Sequence, residues 1–386
     1  MKNFSITTVK SAICTFFVLL LYFTGDGPIL EDDVYSDVKP KKGIKFTNRT
    51  MAYPGRFKRD TYPNVTIVVK YHDNPNALPL ERTDCAPGLI CQFSDKSWHE
   101  KTWDHNVITY INSPKEINKV YITSESPGRF TMNIPDNKRT TTHGGPFAGI
   151  ALTDLRSDIP ITYLTKFYEH EEDLTGIESI KQPVSDEIFI WRILHVASNC
   201  DYVYSGRNNW VQALIDRGLV DSFGKCNHNK EWQSVEHLTK NASKSKYVPH
   251  GTNIKSILSR KYAFVTAFEN SYYPGYITEK LWDQLKVGTL PIYLGAPDVT
   301  HLLPEHSFVN VNDYGTYDDL ANYIEFLIEN KVEYYNYHTW REQEISSYIK
   351  ETWKFAEEDT NCRICRWGAE NLFLDKVTNS SNSRIG

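Results

Sequence analysis

The segment 261–296 constrains the fold of this chain more than any other stretch of its sequence. An apolar run at Lys261–Phe268 predicts a buried strand, and Thr278–Val287 predicts a helix because its leucines recur at helical spacing. A glycine ends that helix, and Leu290–Leu294 predicts the next strand. A strand, a helix and a strand in this order form a βαβ unit, which places both strands parallel in one sheet.

Length and charge narrow the possibilities further. With 386 residues, the chain is long enough for two domains of about 100–200 residues each. The net charge of −5 disfavours a general nucleic-acid binder, which should be basic. We expect six regions along the chain. The first three are a cytosolic tail at 1–10, a transmembrane signal anchor at 11–24 and a stem at 25–60. They are followed by a first α/β domain at 61–180, a second α/β domain at 188–350 and a C-terminal segment with a Cys-x-x-Cys pair at 351–386.

Further runs predict the elements on either side of that unit. Strands alternate with helices of about ten residues in the second half, which favours a parallel sheet there. The predicted strands are Val65–Lys70, Val107–Ile111, Asn118–Thr123, Gly149–Leu155, Ile161–Tyr163 and Ile188–Ala197. The predicted helices are Trp210–Arg217, Asp318–Asn330 and Val332–Lys350.

A hydrophobic run at Ala12–Phe23 stands near the start of the chain, with Lys2 and Lys10 before it. Positive charge on the N-terminal side predicts a signal anchor that leaves the N-terminus in the cytosol. A cleaved signal peptide has the same charge pattern, but no clean small-x-small cleavage site follows Phe23. We therefore expect a single-pass type II protein of the Golgi membrane, with its body in the lumen.

The cysteines and the glycosylation sequons agree with a lumenal body. Six cysteines follow the hydrophobic run, enough for three disulfides in an oxidising compartment, and fifteen pairings are open: Cys85, Cys91, Cys200, Cys226, Cys362 and Cys365. A zinc site is disfavoured, because no second pair of ligands has zinc-type spacing. The candidates for N-glycosylation are Asn48, Asn64, Asn241 and Asn379.

The loop and helix start after Lys261–Phe268 carry the residues best suited to bind a ligand. In parallel α/β sheets, ligands bind beyond the carboxyl ends of the strands, where loops lead into helix N-termini. Thr278 has the side chain of an N-cap, Lys280 offers a cation to a phosphate, and Glu279 offers acceptors to ribose hydroxyls. Glutamate and lysine in a first helical turn are also common as solvated side chains, so spacing alone leaves both interpretations open.

The same stretch resembles the most diagnostic motif of the α1,3-fucosyltransferases of the glycosyltransferase family 10 type. The matching pieces are Phe268–Ser271, Tyr276–Lys280 and Pro291–Pro297, in the family's order. The loop 272–275 departs from the family, because it lacks the acidic residue that many members carry before the tyrosine. Other similar segments are Tyr121–Pro127, Ser157–Pro160, Ser198–Cys200, Arg207–Leu214, Val220–Cys226 and Cys362–Cys365, so the resemblance spans residues 83–368.

The resemblance implies a GT-B fold, in which two Rossmann-like domains face each other across a cleft. The first domain would lie on the acceptor side and the second would bind GDP-fucose. The implied reaction is an inverting transfer of L-fucose from GDP-β-L-fucose to the 3-hydroxyl of a GlcNAc, in an N-glycan core or a LacNAc or LacdiNAc antenna, forming an α1,3 linkage. Two alternatives stay open, a protein O-fucosyltransferase of the same fold and a non-catalytic glycan-binding member.

The resemblance also implies roles for single residues. Glu125 would be the general base that a single displacement requires. The implied donor-binding residues are Arg207 and Lys280 at the diphosphate, Glu279 at the ribose, Asn270 and Tyr276 at the nucleotide and fucose, and Ser198 and Asn199 as further candidates. No Asp-x-Asp motif is present in the sequence. We expect no metal site and no tightly bound cofactor, with manganese at most stimulating the rate.

The resemblance favours one disulfide, Cys200–Cys226, which would hold the loop that carries Arg207. The other four cysteines either pair locally or link the C-terminal segment to the first domain. The expected partners are GDP-fucose, a glycan or glycoprotein acceptor, and the membrane through a single N-terminal span. No nucleic-acid partner is expected.

Overall fold

The structure of the protein, a computed structural model, describes residues 57–70, 80–94, 107–112, 117–126, 147–155, 157–163, 177, 180–181, 183–201, 203–239, 253–356 and 358–374. All of them belong to one compact unit of the chain, residues 41–386. Within these ranges, no helix has both the length and the apolarity that a membrane crossing needs. The predicted anchor, nearly all of the predicted stem and the sequons Asn48, Asn241 and Asn379 lie outside the described residues, whereas Asn64 is described and exposed.

The first sheet among the described residues has seven strands, in the order β2-β3-β1-β4-β5-β6-β7. Successive side chains of β1 point to opposite faces of the sheet, and Ile67 and Val69 lie on the face that is buried in the core. The strands are β1 (Val65–Lys70), β2 (Leu80–Arg82), β3 (Leu89–Phe93), β4 (Val107–Asn112), β5 (Ile117–Ile122), β6 (Gly149–Leu152) and β7 (Ile159–Pro160).

This sheet is mixed, which differs from the Rossmann-like sheet expected for 61–180. Strand β4 runs antiparallel to both β1 and β5, whereas β5, β6 and β7 run parallel to one another. The reason is the connection from β4 to β5, because residues 113–116 are too few for the crossover that parallel neighbours require. The strand predicted at Ile161–Tyr163 is also wrong, because the strand is Ile159–Pro160, where proline is tolerated at the sheet edge.

The second sheet is parallel throughout its described strands, in the order β12-β11-β10-β8-β9. Every residue of β10 and β11 is buried, as expected for central strands covered on both faces. The strands are β8 (Ile190–His195), β9 (Val220–Ser222), β10 (Tyr262–Phe268), β11 (Leu290–Leu294) and β12 (Val309–Asn310). The α/β class with a parallel sheet in the second half is confirmed.

The helices of the described residues follow the first sheet in the chain. They are α1 (Arg207–Asp216), α2 (Glu236–Thr239), α3 (Asn253–Ser259), α4 (Glu279–Lys286), α5 (Tyr317–Glu329), α6 (Lys331–Asn336), α7 (Ser347–Ala356) and α8 (Thr360–Gly368), with a π-helical turn at Ala369–Leu374 and 3₁₀ turns at Trp232–Val235, Val299–His301, Val311–Asp313 and Thr339–Arg341.

The single helix predicted at Val332–Lys350 is wrong, because the chain breaks it into α6, a 3₁₀ turn and α7. The turn places Arg341 inside the protein, where its guanidinium donates to the carbonyl oxygens of Ile180 at 2.9 Å and Leu285 at 3.0 Å. A buried guanidinium needs such acceptors, so tertiary contacts override the local helical pattern.

The C-terminal helices connect the cores of the two sheets. Helix α7 packs into the hydrophobic core next to the second sheet. There the Trp353 ring contacts the Trp282 ring edge to face, with ring centroids 5.5 Å apart. Helix α8 then joins the core of the first sheet through Ile364 and Trp367. A Cβ atom at Gly149 in β6 would lie only 2.6 Å from the Trp367 ring, so the indole packs directly against backbone.

Three disulfides join the six cysteines that follow the hydrophobic run. The predicted Cys200–Cys226 bond is confirmed. The other four cysteines do not pair locally, because Cys85 bonds to Cys362 and Cys91 bonds to Cys365. The Cys-x-x-Cys pair on α8 therefore fastens the end of the chain to the beginning of the first sheet.

Removing both disulfides of α8 should lower the free energy of unfolding by more than the sum of the losses from removing each one alone. Once one bond is closed, the other closes a loop of only nine residues, six from 85 to 91 and three from 362 to 365. Loop entropy then predicts a loss of about 3 kcal/mol for either Cys→Ser pair alone and about 8 kcal/mol for both. Denaturant unfolding of the two double-serine variants and the quadruple variant measures this. Losses that simply add would contradict the shared-loop account.

Candidate active site

The carboxyl ends of β8, β10 and β11 lie along one edge of the parallel sheet, and the candidate residues follow them. Ser198 and Asn199 come after β8, Asn270 comes after β10, and helix α4 begins at Glu279 close to the same edge. Strand β10 is extended by one further bond, in which the Glu269 amide donates to the Leu294 carbonyl oxygen at 2.7 Å. The loop after β10 is therefore held tightly at its start.

A buried carboxylate organises the start of helix α4. The Glu269 side chain is fully buried, and its Oε1 accepts from the Thr278 amide at 2.7 Å while its Oε2 accepts from the Thr278 hydroxyl at 2.9 Å. The Lys280 ammonium lies 3.2 Å from the same Oε2. Thr278 is also the N-cap of α4, since its Oγ1 accepts from the Lys280 amide. One carboxylate thus fixes both the cap and the first cation of the helix.

The charges of this cluster depend on one another. Burial raises the pKa of Glu269, and Lys280 and the Thr278 bonds oppose that rise. Burial lowers the pKa of Lys280, but Glu269 and Glu279 outweigh it, so the pKa is raised overall. Burial also raises the pKa of Glu279, but the nearby Lys280 opposes this effect, and the pKa lies below its usual value. Because three donors point at the Glu269 oxygens, the geometry is that of an ionised carboxylate, which can only accept.

Arg207 is the first residue of α1 and lies inside the protein, 3% exposed. Its guanidinium donates to the carbonyl oxygen of Phe268 at 3.0 Å and to that of Asn199 at 2.7 Å. Its Nε has no hydrogen-bond partner among the described residues. Burial lowers the pKa of Arg207, while Glu269 acts in the opposite direction. The guanidinium thus bridges the ends of β8 and β10 and retains one unused donor.

The remaining donor-site candidates differ in burial. Asn270 is 9% exposed, and within the described part of the chain its Oδ1 accepts no hydrogen bond. Its carbonyl oxygen accepts from the Tyr204 and Ser205 amides, which ties the loop before α1 to the loop after β10. The side chains of Ser198 and Asn199 are exposed.

Glu125, which belongs to the first sheet's side of the site, lies close to the loop before α4. It follows β5, and its amide donates to the Thr123 hydroxyl at 3.1 Å. The Tyr276 hydroxyl, from the loop before α4, lies 3.5 Å from the Glu125 Oε2. Burial raises the pKa of Tyr276 well above its usual value, and Tyr163, Glu269 and Glu125 add to that rise. The predicted base and the predicted donor residues therefore share one electrostatic environment.

A glycine allows the two sheets to approach at this point. Gly275 has φ = 71°, a conformation that favours glycine. A Cβ atom there would lie 2.3 Å from the Thr153 carbonyl oxygen, beyond the end of β6. The Gly275 amide donates to Asp298 at 2.8 Å, which holds the loop in this position. Backbone contact thereby brings Tyr276 within reach of Glu125.

Three further charged residues of this cluster, Glu269, Asp283 and Lys255, are not among the residues predicted for the site. A lone carboxylate directly after seven buried strand residues was a usable signal for Glu269. Asp283 lies one helical turn after Glu279 on α4, and burial raises its pKa to about 6, while the nearby Lys255 of α3 opposes the rise. Among the described residues, no three His, Cys, Asp or Glu side chains are grouped as metal ligands.

Comparison with known proteins gives one family match. The sequence profile described as "Glycosyltransferase family 10 (fucosyltransferase) C-term" matches residues 191–382. The matched range starts in β8 and includes Arg207, Asn270, Tyr276, Glu279 and Lys280. Glu125 lies outside it, in the first sheet.

Three similar proteins carry fucosyltransferase names. GDP-fucose protein O-fucosyltransferase 3 of Xenopus laevis is 32% identical over 197 residues, covering 47% of this chain and 40% of that protein. Alpha-(1,4)-fucosyltransferase of Arabidopsis thaliana is 30% identical over 165 residues, covering 41% and 40%. Alpha-(1,3)-fucosyltransferase B of Drosophila melanogaster is 34% identical over 146 residues, covering 38% and 31%. The chain thus spans no more than two-fifths of the length of each relative.

A solved structure described as an alpha1,3-fucosyltransferase with GDP-fucose is also similar in part. Its TM-score is 0.35 at 24% sequence identity, and the match covers 50% of this chain and 48% of that one. A TM-score of this size assigns no fold to the chain.

Asp283→Asn should gain stability relative to the wild type as the pH rises. The Asp283 pKa is raised from 3.8 to about 6 in the folded protein, so the stability it contributes is complete below pH 3.8 and is lost as the pH rises through 6. Asparagine does not titrate, so the unfolding free energy of the variant minus that of the wild type should increase by roughly 2 kcal/mol from pH 4 to pH 7. Urea unfolding at both pH values measures the difference, and a pH-independent difference would contradict the burial of this carboxyl.

Proposed function

Because the chain belongs to glycosyltransferase family 10, the fucosyltransferases, we propose that it transfers L-fucose from GDP-β-L-fucose to an acceptor hydroxyl with inversion at C1. The observation that carries this proposal is the approach of Glu125 to the donor-side residues. Its carboxylate lies 3.5 Å from the Tyr276 hydroxyl, four residues before Lys280. A direct displacement needs a general base for the acceptor hydroxyl and cations for the leaving diphosphate. Here the proposed base comes from one sheet and the proposed cations come from the other.

In the proposed reaction, the acceptor hydroxyl gives its proton to the Glu125 carboxylate as its oxygen attacks C1 of fucose. The bond between C1 and the phosphate oxygen breaks with its electrons, and GDP leaves with added negative charge. Lys280 and Arg207 neutralise that charge, with the guanidinium Nε of Arg207 as an available donor. A single displacement converts the β-linked sugar of the nucleotide into an α-linked product.

The other proposed donor contacts come from residues at the carboxyl edge of the second sheet. Glu279, whose side chain is 41% exposed, accepts from the ribose hydroxyls. Asn270 offers its unused Oδ1 to the nucleotide, and Tyr276 lines the fucose side facing Glu125. Ser198 and Asn199 are exposed at the end of β8 and contribute further contacts. GDP-fucose is the donor substrate, and no cofactor is part of the proposal.

We propose a GlcNAc 3-hydroxyl as the acceptor, in an N-glycan core or a LacNAc or LacdiNAc antenna, forming an α1,3 linkage. The name of the Drosophila relative supports this linkage. A protein hydroxyl is the second candidate, and the name of the Xenopus relative supports it. A binding-only protein is disfavoured because Glu125, Arg207, Glu279 and Lys280 are all present together.

The proposed setting is the Golgi lumen, with the chain anchored as a single-pass type II protein through 11–24 and held away from the membrane by a stem. The three disulfides support an oxidising compartment. We further propose a GT-B-like arrangement, in which the mixed first sheet and the parallel second sheet face each other and the acceptor binds between them. Glu125 beyond β5 and Lys280 beyond β10 support it, because each follows the carboxyl end of a strand.

Glu125→Gln should remove transfer without removing GDP binding. The amide keeps the size of the side chain but cannot take the acceptor proton, so kcat should fall about 10²- to 10⁴-fold. The full chain is incubated with GDP-fucose and EDTA together with LacNAc, LacdiNAc, a trimannosyl N-glycopeptide and a folded protein domain, and mass spectrometry reports the deoxyhexose.

Glu305→Gln is the matched control, because Glu305 is exposed at a turn after α4 and β11. It should keep wild-type activity. Transfer to one acceptor class, lost in Glu125→Gln, supports the proposal and names the acceptor. More than a tenth of wild-type activity in Glu125→Gln would rule out this residue as the base.

Lys280→Ala should weaken GDP binding by about 10- to 100-fold, because a charged hydrogen bond to phosphate is lost. Lys280→Arg should retain most of the affinity, since it keeps the charge. Lys350→Ala serves as the control at an exposed lysine of α7. Calorimetric titration with GDP measures all three, and an unchanged affinity in Lys280→Ala would remove this residue from the diphosphate site.

A further inference from the structure

The Lys280 ammonium already has a full set of acceptors in this structure. It lies 2.7 Å from the Thr278 Oγ1, 3.2 Å from the Glu269 Oε2 and 3.3 Å from the Glu279 Oε1, all three within the described residues. A protonated lysine has three N–H donors. A phosphate that binds this ammonium must therefore replace one of these oxygens.

The two carboxylates differ in their freedom to leave the ammonium. Glu269 is fully buried and held by two bonds from Thr278. Gly295 packs directly behind it, since a Cβ atom there would lie 2.7 Å from the Glu269 Cγ. Glu279 lies on the first turn of α4 with its side chain 41% exposed. The partly exposed Glu279 carboxylate can turn away from the ammonium, whereas the fully buried Glu269 carboxylate cannot.

We infer that Glu269 is a positioning residue for the donor, which retains the Lys280 ammonium at the first turn of α4 while the ammonium exchanges Glu279 for a phosphate oxygen. The inference rests on the proposed use of GDP-fucose. The exchange frees the Glu279 carboxylate for the ribose hydroxyls, so the phosphate contact and the ribose contact form together. No covalent bond changes in this step, and the ammonium keeps its three protons.

Several charged groups face Lys280 from neighbouring elements, and each affects its protonation. Glu269 follows β10, and Glu279 and Asp283 lie on α4 itself, all of which favour the ammonium form. Arg207 at the start of α1 and Lys255 on α3 oppose it. Among the carboxylates, Glu269 is the largest favourable influence on the Lys280 pKa, and burial is the largest unfavourable one. Removing the Glu269 charge should therefore leave burial dominant.

The first test measures the pKa of Lys280 without any nucleotide, by competitive acetylation across a pH series and peptide mass spectrometry. Glu269→Gln keeps the shape of the side chain and removes its charge, so the Lys280 pKa should fall by about one unit or more. Glu269→Asp keeps the charge at a longer distance, so the fall should be smaller. Glu305→Gln should leave the Lys280 pKa unchanged.

The second test measures GDP affinity of the full chain across the same pH series. In Glu269→Gln, the loss of affinity on the alkaline side should begin about one pH unit lower than in the wild type, which means about a tenfold loss at a fixed alkaline pH. Lys280→Arg should remove the alkaline loss, because arginine stays protonated. A purely structural role for Glu269 would weaken GDP binding equally at every pH.

The two tests separate this inference from the proposed function. If the wild type binds GDP and neither the Lys280 pKa nor the alkaline limb moves in Glu269→Gln, the inference is overturned and the donor assignment stands. If Glu269→Gln does not fold, an unchanged Lys280 pKa in Glu269→Asp overturns it equally. If the wild type binds no GDP at any pH, the proposed function falls, and the positioning role for a nucleotide falls with it.

Discussion

The ion pair between Glu269 and Lys280 determines the geometry on which the rest of the site depends. A carboxylate with no exposure to water needs several donors, and the Thr278 amide, the Thr278 hydroxyl and the Lys280 ammonium supply them. These three groups are the N-cap and first turn of α4, so burial of one side chain fixes where the helix begins. The helix then presents Lys280 and Glu279 at the carboxyl edge of the parallel sheet. The donor recognition that we propose depends on this contact.

The second requirement is a fixed relation between the two sheets. The two C-terminal helices provide this relation. Helix α7 packs with the core of the second sheet, and helix α8 packs with the core of the first. The disulfides Cys85–Cys362 and Cys91–Cys365 fasten α8 in place. At the site itself, Gly275 lets backbone meet backbone, which brings Tyr276 to Glu125. The proposed base on one sheet and the proposed cations on the other depend on this spacing, because a misplacement of about 1 Å can cost about a hundredfold in rate.

Sequence patterns predicted most strands of both sheets but missed β2 and β3 in the first sheet and β9 and β12 in the second. Strand Leu290–Leu294 was predicted to the residue, because a fully buried central strand between glycine-marked turns has a strong local signal. Leu89–Phe93 was missed, since its alternating burial depends on pairing with β1 and on the C-terminal helix that covers it. The role of Glu269 was also missed, because its burial depends on Gly295, a residue 26 positions later. The pairing of four cysteines separated by more than 270 residues is likewise a tertiary property.

We expect GDP-fucose to lie between Lys280, beside the second sheet, and Glu125, beside the first. A crystal structure of the full chain with GDP-fucose, collected from the Glu125→Gln variant to prevent turnover, tests it most directly. We expect a phosphate oxygen within hydrogen-bond distance of the Lys280 Nζ, the Glu279 carboxylate turned to the ribose, and C1 of fucose facing residue 125. A donor bound away from Lys280, or with C1 turned away from residue 125, would contradict it.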